Sequence, residues 1–337
     1  MPKQTVTATS SSASTVHWLR EVPLRHSPTS VWLGLGRSGT SRTLGPAGVG
    51  RGSVVTTRVV ALGWRPVPVR RRTSDPVLVS AHRCGAGEDR HLENTRPALD
   101  RALSLDVDFV EFDVQRCADD TFVLFHDDEV EVDGRRTPLS DLTVARLEQL
   151  VGPLLRYEDV LGALAGRRRA HIDLKFTSPS AAYVEPAGTH EVRAARRAVE
   201  VLGPENLVVT TLEDASVRAV RDWADAEGLD LLVGLSLGRS VKGLPVVRQV
   251  RTRWSELRPH LRLSGSRANL VVAKHTLARL GVAAYARRRG LPLLVWTVDT
   301  ERSLRYWMRP GRAWLVTSNR PEVALRTRER AAARMRP

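Results

Sequence analysis

The segment FVEFDV, residues 109–114, is the most informative part of the chain for its architecture. Its apolar residues predict a parallel strand that is buried on both faces. Yet it carries two acids, Glu111 and Asp113. Side chains two positions apart in a strand point to the same side, so both carboxylates share one face. The segment therefore predicts a buried strand that also carries functional groups.

Similar short apolar runs recur from residue 75 onward. Besides 109–114, the predicted strands are residues 77–81, 170–174, 207–211, 231–235, 269–272, 293–298 and 314–317. Helix-like stretches lie between most of them, for example at 190–202, 213–227, 275–289 and 321–334. Eight such units predict an α/β fold, a closed (β/α)8 TIM barrel, with a short hairpin arm at 121–125 after the second strand. A doubly wound open sheet is the alternative, but no Gly-rich dinucleotide loop follows the first strand.

Residues 1–74 differ from the rest in composition. They are rich in Ser, Thr, Gly, Pro and Arg, and their apolar residues keep no helical or strand period for long. We predict a disordered basic leader, or sequence upstream of the true start, before a barrel domain at 75–337. An organelle transit peptide is a weaker alternative. Because no apolar run is long enough for a secretory signal or a transmembrane helix, a cytoplasmic location is expected.

The net charge of +15 is concentrated near the N terminus. Through Asp75 the chain has eleven basic and two acidic side chains, against 41 and 35 in the remaining 262 residues. No stripe of arginines interleaved with aromatic residues stands out, so we expect no specific nucleic-acid partner. Only two cysteines occur, Cys84 and Cys117, which excludes a disulfide framework. They follow adjacent predicted strands and could pair under oxidation, but two reduced packing residues are the expectation.

Ionisable side chains collect where the predicted strands end. They are His82 and Arg83 after the first strand, Glu111 and Asp113 in the second, His126 after the hairpin arm, and Asp173 and Lys175 in the third unit. TIM-barrel active sites lie at the carboxyl ends of the strands, so we expect these groups to converge. Three carboxylates suit Mg²⁺ or Ca²⁺ rather than zinc, and two histidines can exchange protons near neutral pH. With two cations for a phosphate, the set predicts phosphoryl transfer. The structural alternative is a buried salt bridge between these acids and Arg83 or Lys175.

The chain from about residue 77 to residue 324 resembles the glycerophosphodiester phosphodiesterase family, within the phosphatidylinositol-phospholipase-C-like superfamily. The resemblance is carried by AHR (81–83), ENT (93–95), VEFDV (110–114), FHD (125–127), IDLK (172–175), VWTV (295–298) and TSNRP (317–321). It implies an enzyme that hydrolyses a small phosphodiester to an alcohol and glycerol 3-phosphate. A substrate hydroxyl would attack phosphorus to give a cyclic phosphodiester, which water then opens.

The same resemblance implies a role for each site residue. The acid/base pair would be His82 and His126, the ligands of Mg²⁺ or Ca²⁺ would be Glu111, Asp113 and Asp173, and the substrate contacts would be Arg83, Lys175, Glu93 and Trp296. The sequence does not predict which histidine acts first, nor an oligomeric state.

The sequence departs from the family pattern in several places. Cys84 stands where Gly is usual, the loop from His82 to Glu93 is two residues longer, and Asp173 replaces a usual Glu. The segment at 131–149 is short where the family often has a longer elaboration that contacts glycerol. These changes affect which head group the site would accept more than which class of reaction it would catalyse.

Two other functions are compatible with the same barrel. A phospholipase D-like or lysophospholipase activity would need an apolar channel or a membrane-facing loop, for which Trp307, Met308 and Trp314 are the candidates, although a core position is expected for Trp314. A non-catalytic phosphate-binding barrel is disfavoured because both histidines and all three carboxylates are present.

Overall fold

Eight parallel strands close into a barrel in the computed structural model, which describes residues 75–239, 241, 243 and 245–333. The strands are β1 (Leu78–Ala81), β2 (Phe109–Arg116), β3 (Phe122–Leu124), β4 (Glu129–Val132), β5 (Arg135–Pro138), β6 (Arg169–Leu174), β7 (Leu207–Thr211), β8 (Leu232–Leu237), β9 (Leu270–Lys274), β10 (Leu293–Trp296) and β11 (Leu315–Ser318). The barrel order is β1-β2-β6-β7-β8-β9-β10-β11, and β1 pairs with both β2 and β11 to close the ring. The leader predicted at 1–74 lies outside the described residues.

Helices alternate with the barrel strands. They are α1 (Arg96–Ser104), α2 (Val144–Val151), α3 (Tyr157–Leu164), α4 (His190–Leu202), α5 (Asp214–Ala226), α6 (Val246–Leu257), α7 (Pro259–Gly265), α8 (His275–Leu277), α9 (Ala283–Arg289), α10 (Glu301–Trp307) and α11 (Pro321–Ala333). The TIM-barrel prediction is confirmed, and all eight predicted strands lie within two residues of the observed bounds. None of the described helices has both the length and the apolar character needed to cross a bilayer.

The continuous helix predicted at 275–289 is wrong in one respect. A π-helical turn, Ala278–Val282, separates α8 from α9. Within it Gly281 has φ 128°, a backbone conformation that L side chains rarely adopt. The apolar period continues through the turn, so the pattern alone could not show the interruption.

An antiparallel arm and an insertion follow β2. β3 returns antiparallel along β2, as predicted, with Leu124 opposite Val114. The chain then forms the β4–β5 hairpin and α2, which the sequence analysis did not predict. These elements share an apolar cluster of their own, which includes Cys117, Leu139 and Leu147.

The cysteines lie in different parts of the apolar interior. Cys84 is fully buried in the large cluster between the strands and the outer helices, whereas Cys117 is in the insertion cluster. Both are free thiols in the structure. Burial raises the pKa of both thiols, to about 11 for Cys117. The expectation of two reduced packing residues agrees with this arrangement.

The barrel interior changes from apolar to polar along its axis. At the amino ends of the strands it is filled by an inner apolar cluster, Leu78, Phe109, Val208, Leu232, Leu270, Val272, Leu294 and Leu315. Gly234 makes room there, because a Cβ at this position would lie 2.4 Å from Cγ2 of Val272. Above this cluster, His171 contacts Oγ of Ser80 at 3.4 Å and Oγ1 of Thr210 at 3.2 Å. This polar layer lies directly beneath the carboxyl ends of the strands.

Of the three candidates for a lipid-facing surface, Trp307 and Met308 are buried, and Trp314 packs against the inner apolar cluster, in line with the core position expected of it. Trp307 and Met308 are each only 1% exposed and belong to the large cluster under the outer helices. Trp314 precedes β11 and packs edge-on against Phe109 at 5.7 Å, at the amino end of the barrel. That end is opposite the one where barrel active sites lie.

Candidate active site

β1 leads into a tight turn that carries His82 and Arg83. Arg83 has φ 49° and Cys84 has φ 60°, both in the left-handed region. The Gly that is usual in the family would adopt this conformation freely, whereas for Cys84 the conformation costs roughly 1–2 kcal/mol. The turn aims the backbone N–H of Arg83 at Oε2 of Glu111, 2.6 Å away. The departure from the family pattern is therefore accommodated in the backbone without losing that contact.

Three carboxylates converge at the carboxyl ends of β2 and β6. Asp113 and Asp173 are register partners on these neighbouring strands, and Glu111 shares the face of Asp113. One oxygen from each of the three acids lies within 4.8 Å of the others. Glu111 is only 3% and Asp113 only 1% exposed. The structure thus brings the three predicted acids together, with Asp173 16% exposed, and these three residues form the carboxylate cluster.

The environment separates the pKa values of the two buried acids. Burial, together with the charges of Asp113 and Asp173, raises the pKa of Glu111 well above its ordinary value. Burial alone would also raise the pKa of Asp113, but attraction to Lys175, His126 and Arg83 outweighs it and lowers that pKa. Glu111 is therefore the least compensated member of the carboxylate cluster.

Two cations border the carboxylate cluster. Nζ of Lys175 lies 2.9 Å from Oδ1 of Asp113 and 2.5 Å from Oδ2 of Asp173. Nε of Arg83 lies 3.5 Å from Oδ2 of Asp113, and its Nη1 lies 2.5 Å from Oε2 of Glu93. These are the ion pairs anticipated by the structural alternative. Because these ion pairs form within the predicted site, the salt-bridge interpretation and the functional interpretation of the residues are compatible.

A chain of hydrogen bonds fixes the orientation of His82. Asn319 donates its Nδ2–H to Oδ2 of Asp299 at 3.0 Å, and a carboxylate can only accept. The amide oxygen of Asn319 therefore faces His82 and accepts a hydrogen bond from its Nδ1–H at 2.7 Å. The lone pair of neutral His82 is then on Nε2, which lies 3.9 Å from Oε2 of Glu111. Burial, with the charge of Arg83, lowers the pKa of His82 and favours this neutral form.

The hairpin arm returns His126 to the level of the carboxylate cluster. The backbone N–H of Phe125 donates to the carbonyl oxygen of Asp113 at 3.1 Å, which places the next residue beside the barrel mouth. Gln115 donates to the backbone oxygen of Asp127 at 3.0 Å and so ties the turn to β2. Nδ1 of His126 contacts Oδ1 of Asp127 at 2.8 Å, and 39% of the His126 side chain is exposed. The two histidines thus differ in exposure, with 14% of the His82 side chain exposed against 39% of His126.

Most of the sequence-predicted residues are joined by direct contacts. The connected set is His82, Arg83, Glu93, Glu111, Asp113, Asp173 and Lys175. Trp296 ends β10, is partly buried against the inner apolar cluster, and its Nε1 has no hydrogen-bond partner within the described part of the chain. The hairpin arm places His126 beside this connected set.

Sequence reasoning missed four supporting residues. Asn94 donates to Oδ2 of Asp113 at 2.9 Å and accepts from its backbone N–H at 3.1 Å. Thr210 donates to Oδ1 of Asp173 at 2.6 Å, and Asn319 and Asp299 orient His82 as described. Asn94 and Asn319 lie inside the ENT and TSNRP motifs, which was the available signal. Nothing comparable marked Thr210 or Asp299.

Known structures share this fold at low sequence identity. One, from Silicibacter pomeroyi DSS-3 and assigned as a glycerophosphoryl diester phosphodiesterase, has a TM-score of 0.59 and 18% identity, covering 78% of this chain and 96% of that one. A glycerophosphodiester phosphodiesterase from Parabacteroides distasonis has a TM-score of 0.58 and 17% identity, covering 77% and 99%. An Oleispira antarctica phosphodiesterase in complex with the product sn-glycerol-3-phosphate has a TM-score of 0.54 and 17% identity, covering 75% and 97%.

Comparison at the level of sequence gives the family. A search of curated proteins found no match. The model of the glycerophosphoryl diester phosphodiesterase family matches residues 82–323, which is more than half of the chain, begins directly after β1 and includes every site residue named above. This protein therefore belongs to the glycerophosphoryl diester phosphodiesterase family.

Proposed function

We propose that this protein hydrolyses glycerophosphodiesters to an alcohol and glycerol 3-phosphate, with a divalent cation, Mg²⁺ or Ca²⁺, held by Glu111, Asp113 and Asp173. The observation that carries the proposal is the carboxylate cluster, bordered by the partly buried His82 and two cationic side chains. Family membership supports the reaction class. The sn-glycerol-3-phosphate in the Oleispira antarctica structure supports the product.

The donor set fits a hard divalent cation. All three ligands would be carboxylate oxygens, which Mg²⁺ and Ca²⁺ prefer. Among the described residues, the hydrogen bond to Glu111 comes from a single backbone N–H, so its negative charge, close to those of Asp113 and Asp173, is the least balanced in the site. A bound cation would balance that charge and stabilise the negative charge that develops on the phosphoryl oxygens.

The chain's own residues would bind the phosphate and move protons. Arg83 and Lys175 lie beside the carboxylate cluster and would contact phosphate oxygens, with Glu93 holding Arg83 and Trp296 lining the pocket. His82, neutral and with its Nε2 lone pair towards the cluster, would take the proton of the attacking substrate hydroxyl. His126, more exposed, would protonate the departing alcohol oxygen. Water would then open the cyclic phosphodiester, with the two histidines in reversed roles.

The experiment measures the products that the full chain releases, which are glycerol 3-phosphate from glycerophosphodiesters and the head-group alcohol with lysophosphatidic acid from lysophospholipids. The substrates are a panel of glycerophosphodiesters and lysophospholipids, each with Mg²⁺, Ca²⁺ or EDTA. Cation-dependent turnover of glycerophosphodiesters is the expected result, and it ranks the head groups. Turnover of lysolipids alone would favour the phospholipase activity instead. Cation binding without turnover of any substrate would contradict the proposal.

Two variants test the histidine roles. His82→Ala and His126→Ala should each abolish turnover while preserving the fold and cation binding, which circular dichroism and cation-dependent thermal unfolding report. His260→Ala is the matched control, because it makes the same substitution at an exposed histidine on α7 and should keep wild-type turnover. A His variant that keeps wild-type turnover would remove that residue from the mechanism.

A further inference from the structure

Helix α6 exposes its apolar side and buries a polar one. Val246, Val247, Val250 and Trp254 are 73%, 79%, 62% and 58% exposed. At ~100° per residue they fall within about 100° of arc, so they form one continuous stripe along the helix. On the opposite side, Glu256 is fully buried. Because a surface helix normally places its apolar stripe towards the core, this inverted arrangement requires another explanation.

The buried side of α6 is anchored at the carboxyl end of the barrel. Oε1 of Glu256 accepts from the backbone N–H groups of Gly238 and Arg239, each at 2.8 Å. These two residues follow β8 directly, at the end of the barrel that carries the carboxylate cluster. The helix orientation is therefore fixed by a buried charge-assisted contact, and the apolar stripe lies on the rim of the barrel mouth.

Arginines flank the apolar stripe. By the same helical geometry, Arg251 lies along one edge and Arg253 along the other, where Nη1 of Arg253 also pairs with Oε2 of Glu256 at 2.7 Å. Arg258 stacks over the ring of Trp254 at 4.2 Å, and Arg248 and Arg251 have no carboxylate partner among the described residues. Two more exposed apolar side chains, Leu261 on α7 and Leu280 in the π-helical turn, are on segments that pack against α6. An apolar stripe with cationic edges matches the interface of an anionic bilayer, where acyl chains lie beneath acidic head groups.

We infer that α6 docks on the surface of an anionic lipid bilayer, with Val246, Val247, Val250 and Trp254 inserted among the lipids and the flanking arginines on the head groups. The positive charge of the α6 surface disfavours the other segments that could bind to it. Residues 1–74 carry eleven basic side chains and one acidic one, so they do not complement an arginine-edged face. A second copy of the helix would bring like charges together. The inference concerns location at a lipid surface and stands apart from the hydrolytic reaction.

Vesicle sedimentation with the full chain tests the inference. The probes are vesicles of phosphatidylcholine alone and of an equal mixture of phosphatidylcholine and phosphatidylglycerol. We expect binding to the mixed vesicles and much weaker binding to the neutral ones. Arg251→Gln should weaken that binding about fivefold, as expected for ~1 kcal/mol per basic side chain near the surface. Trp254→Ser should weaken it about tenfold, because its ring loses apolar burial.

Matched controls lie on α2. Val151 is 41% exposed and Arg146 is exposed, so Arg146→Gln repeats the charge change and Val151→Ser also removes an exposed apolar side chain, both away from α6. Both should bind vesicles as the wild type does, and all four variants should keep the wild-type thermal unfolding midpoint and turnover of soluble substrate.

Three outcomes would overturn the inference. The first is an absence of binding to the mixed vesicles. The second is equal binding by the α6 variants and the wild type, which would assign lipid attraction to other basic residues such as those before residue 75. The third is a dimer in analytical ultracentrifugation that Trp254→Ser dissociates without any change in vesicle binding, which would make the stripe an interface between copies.

Discussion

Replacing Glu111 with Gln should stabilise the protein when no divalent cation is present. The carbonyl oxygen of Gln can still accept the 2.6 Å bond from the backbone N–H of Arg83, so the substitution removes charge and keeps shape. Carboxylates within 4.8 Å repel by about 3 kcal/mol per pair at an effective dielectric constant near 20. Attraction to Arg83 and Lys175, and partial protonation that follows from the raised pKa, offset most of this for Glu111. We expect a net gain of about 1–2 kcal/mol in the free energy of unfolding.

Urea denaturation in EDTA measures this gain in stability, and the same titration in Mg²⁺ tests whether the stabilisation by the cation depends on Glu111. A cation that binds only the folded state adds RT ln(1 + [L]/Kd), so Mg²⁺ should stabilise the wild type and have little effect on Glu111→Gln. Glu191→Gln is the control. This fully buried carboxylate accepts from Oγ of Ser178 at 2.5 Å and Oγ of Ser216 at 2.6 Å, so its loss should cost about 1–3 kcal/mol and leave the Mg²⁺ effect intact. If Glu111→Gln were less stable than the wild type in EDTA, or were stabilised by Mg²⁺ to the same extent, the argument from charge crowding would be refuted.

Three further predictions follow from the barrel and its rim. Asn319→Leu should lower kcat by roughly 10–100-fold while preserving stabilisation by cations, because His82 loses the acceptor that fixes its tautomer. Steady-state assays measure this effect, and an unchanged kcat would show that the hydrogen bond between Asn319 and His82 is dispensable. Burial lowers the pKa of His171 from 6.5 to about 4, so on acidification the unfolded chain takes up the proton first. Stability should therefore fall by about 3 kcal/mol between pH 6.5 and pH 4, and His171→Gln should lose this part of the pH profile in urea titrations. Gly234→Ala should cost about 1–3 kcal/mol in the same titrations, since its Cβ would overlap a neighbouring side chain. The control Gly265→Ala, where a Cβ meets nothing within 4 Å, should be neutral or slightly stabilising, and equal effects of the two would contradict the packing argument.

The barrel and its acids could be predicted because they depend on local pattern. Continuous apolar runs such as 109–114 identify buried parallel strands, and a period of two places Glu111 and Asp113 on one face without any knowledge of the rest. The end of each strand is a known location for function once a barrel is assumed. The same logic led from β1 to His82 and from β6 to Asp173.

The supporting contacts could not be predicted because they depend on closure of the ring. Asp299 and Asn319 follow β10 and β11, and they orient His82 only because β11 pairs with β1 at the other end of the chain. Helix α6 shows a different limit. Its apolar stripe is visible in the sequence, but the pattern does not reveal that Glu256 is the side chain that anchors the helix.

The order of strands around the ring has a consequence for how this protein can change. The proposed reacting groups come from β1, β2 and β6 and the arm attached to β2, which are neighbours on one side of the ring, whereas α6 follows β8 on the other side. Mutations after β8 and β9 can therefore accumulate without displacing any of those groups. Natural selection, or a protein engineer, could exchange the loops of that sector to redirect the enzyme to a different surface while its chemistry is inherited unaltered.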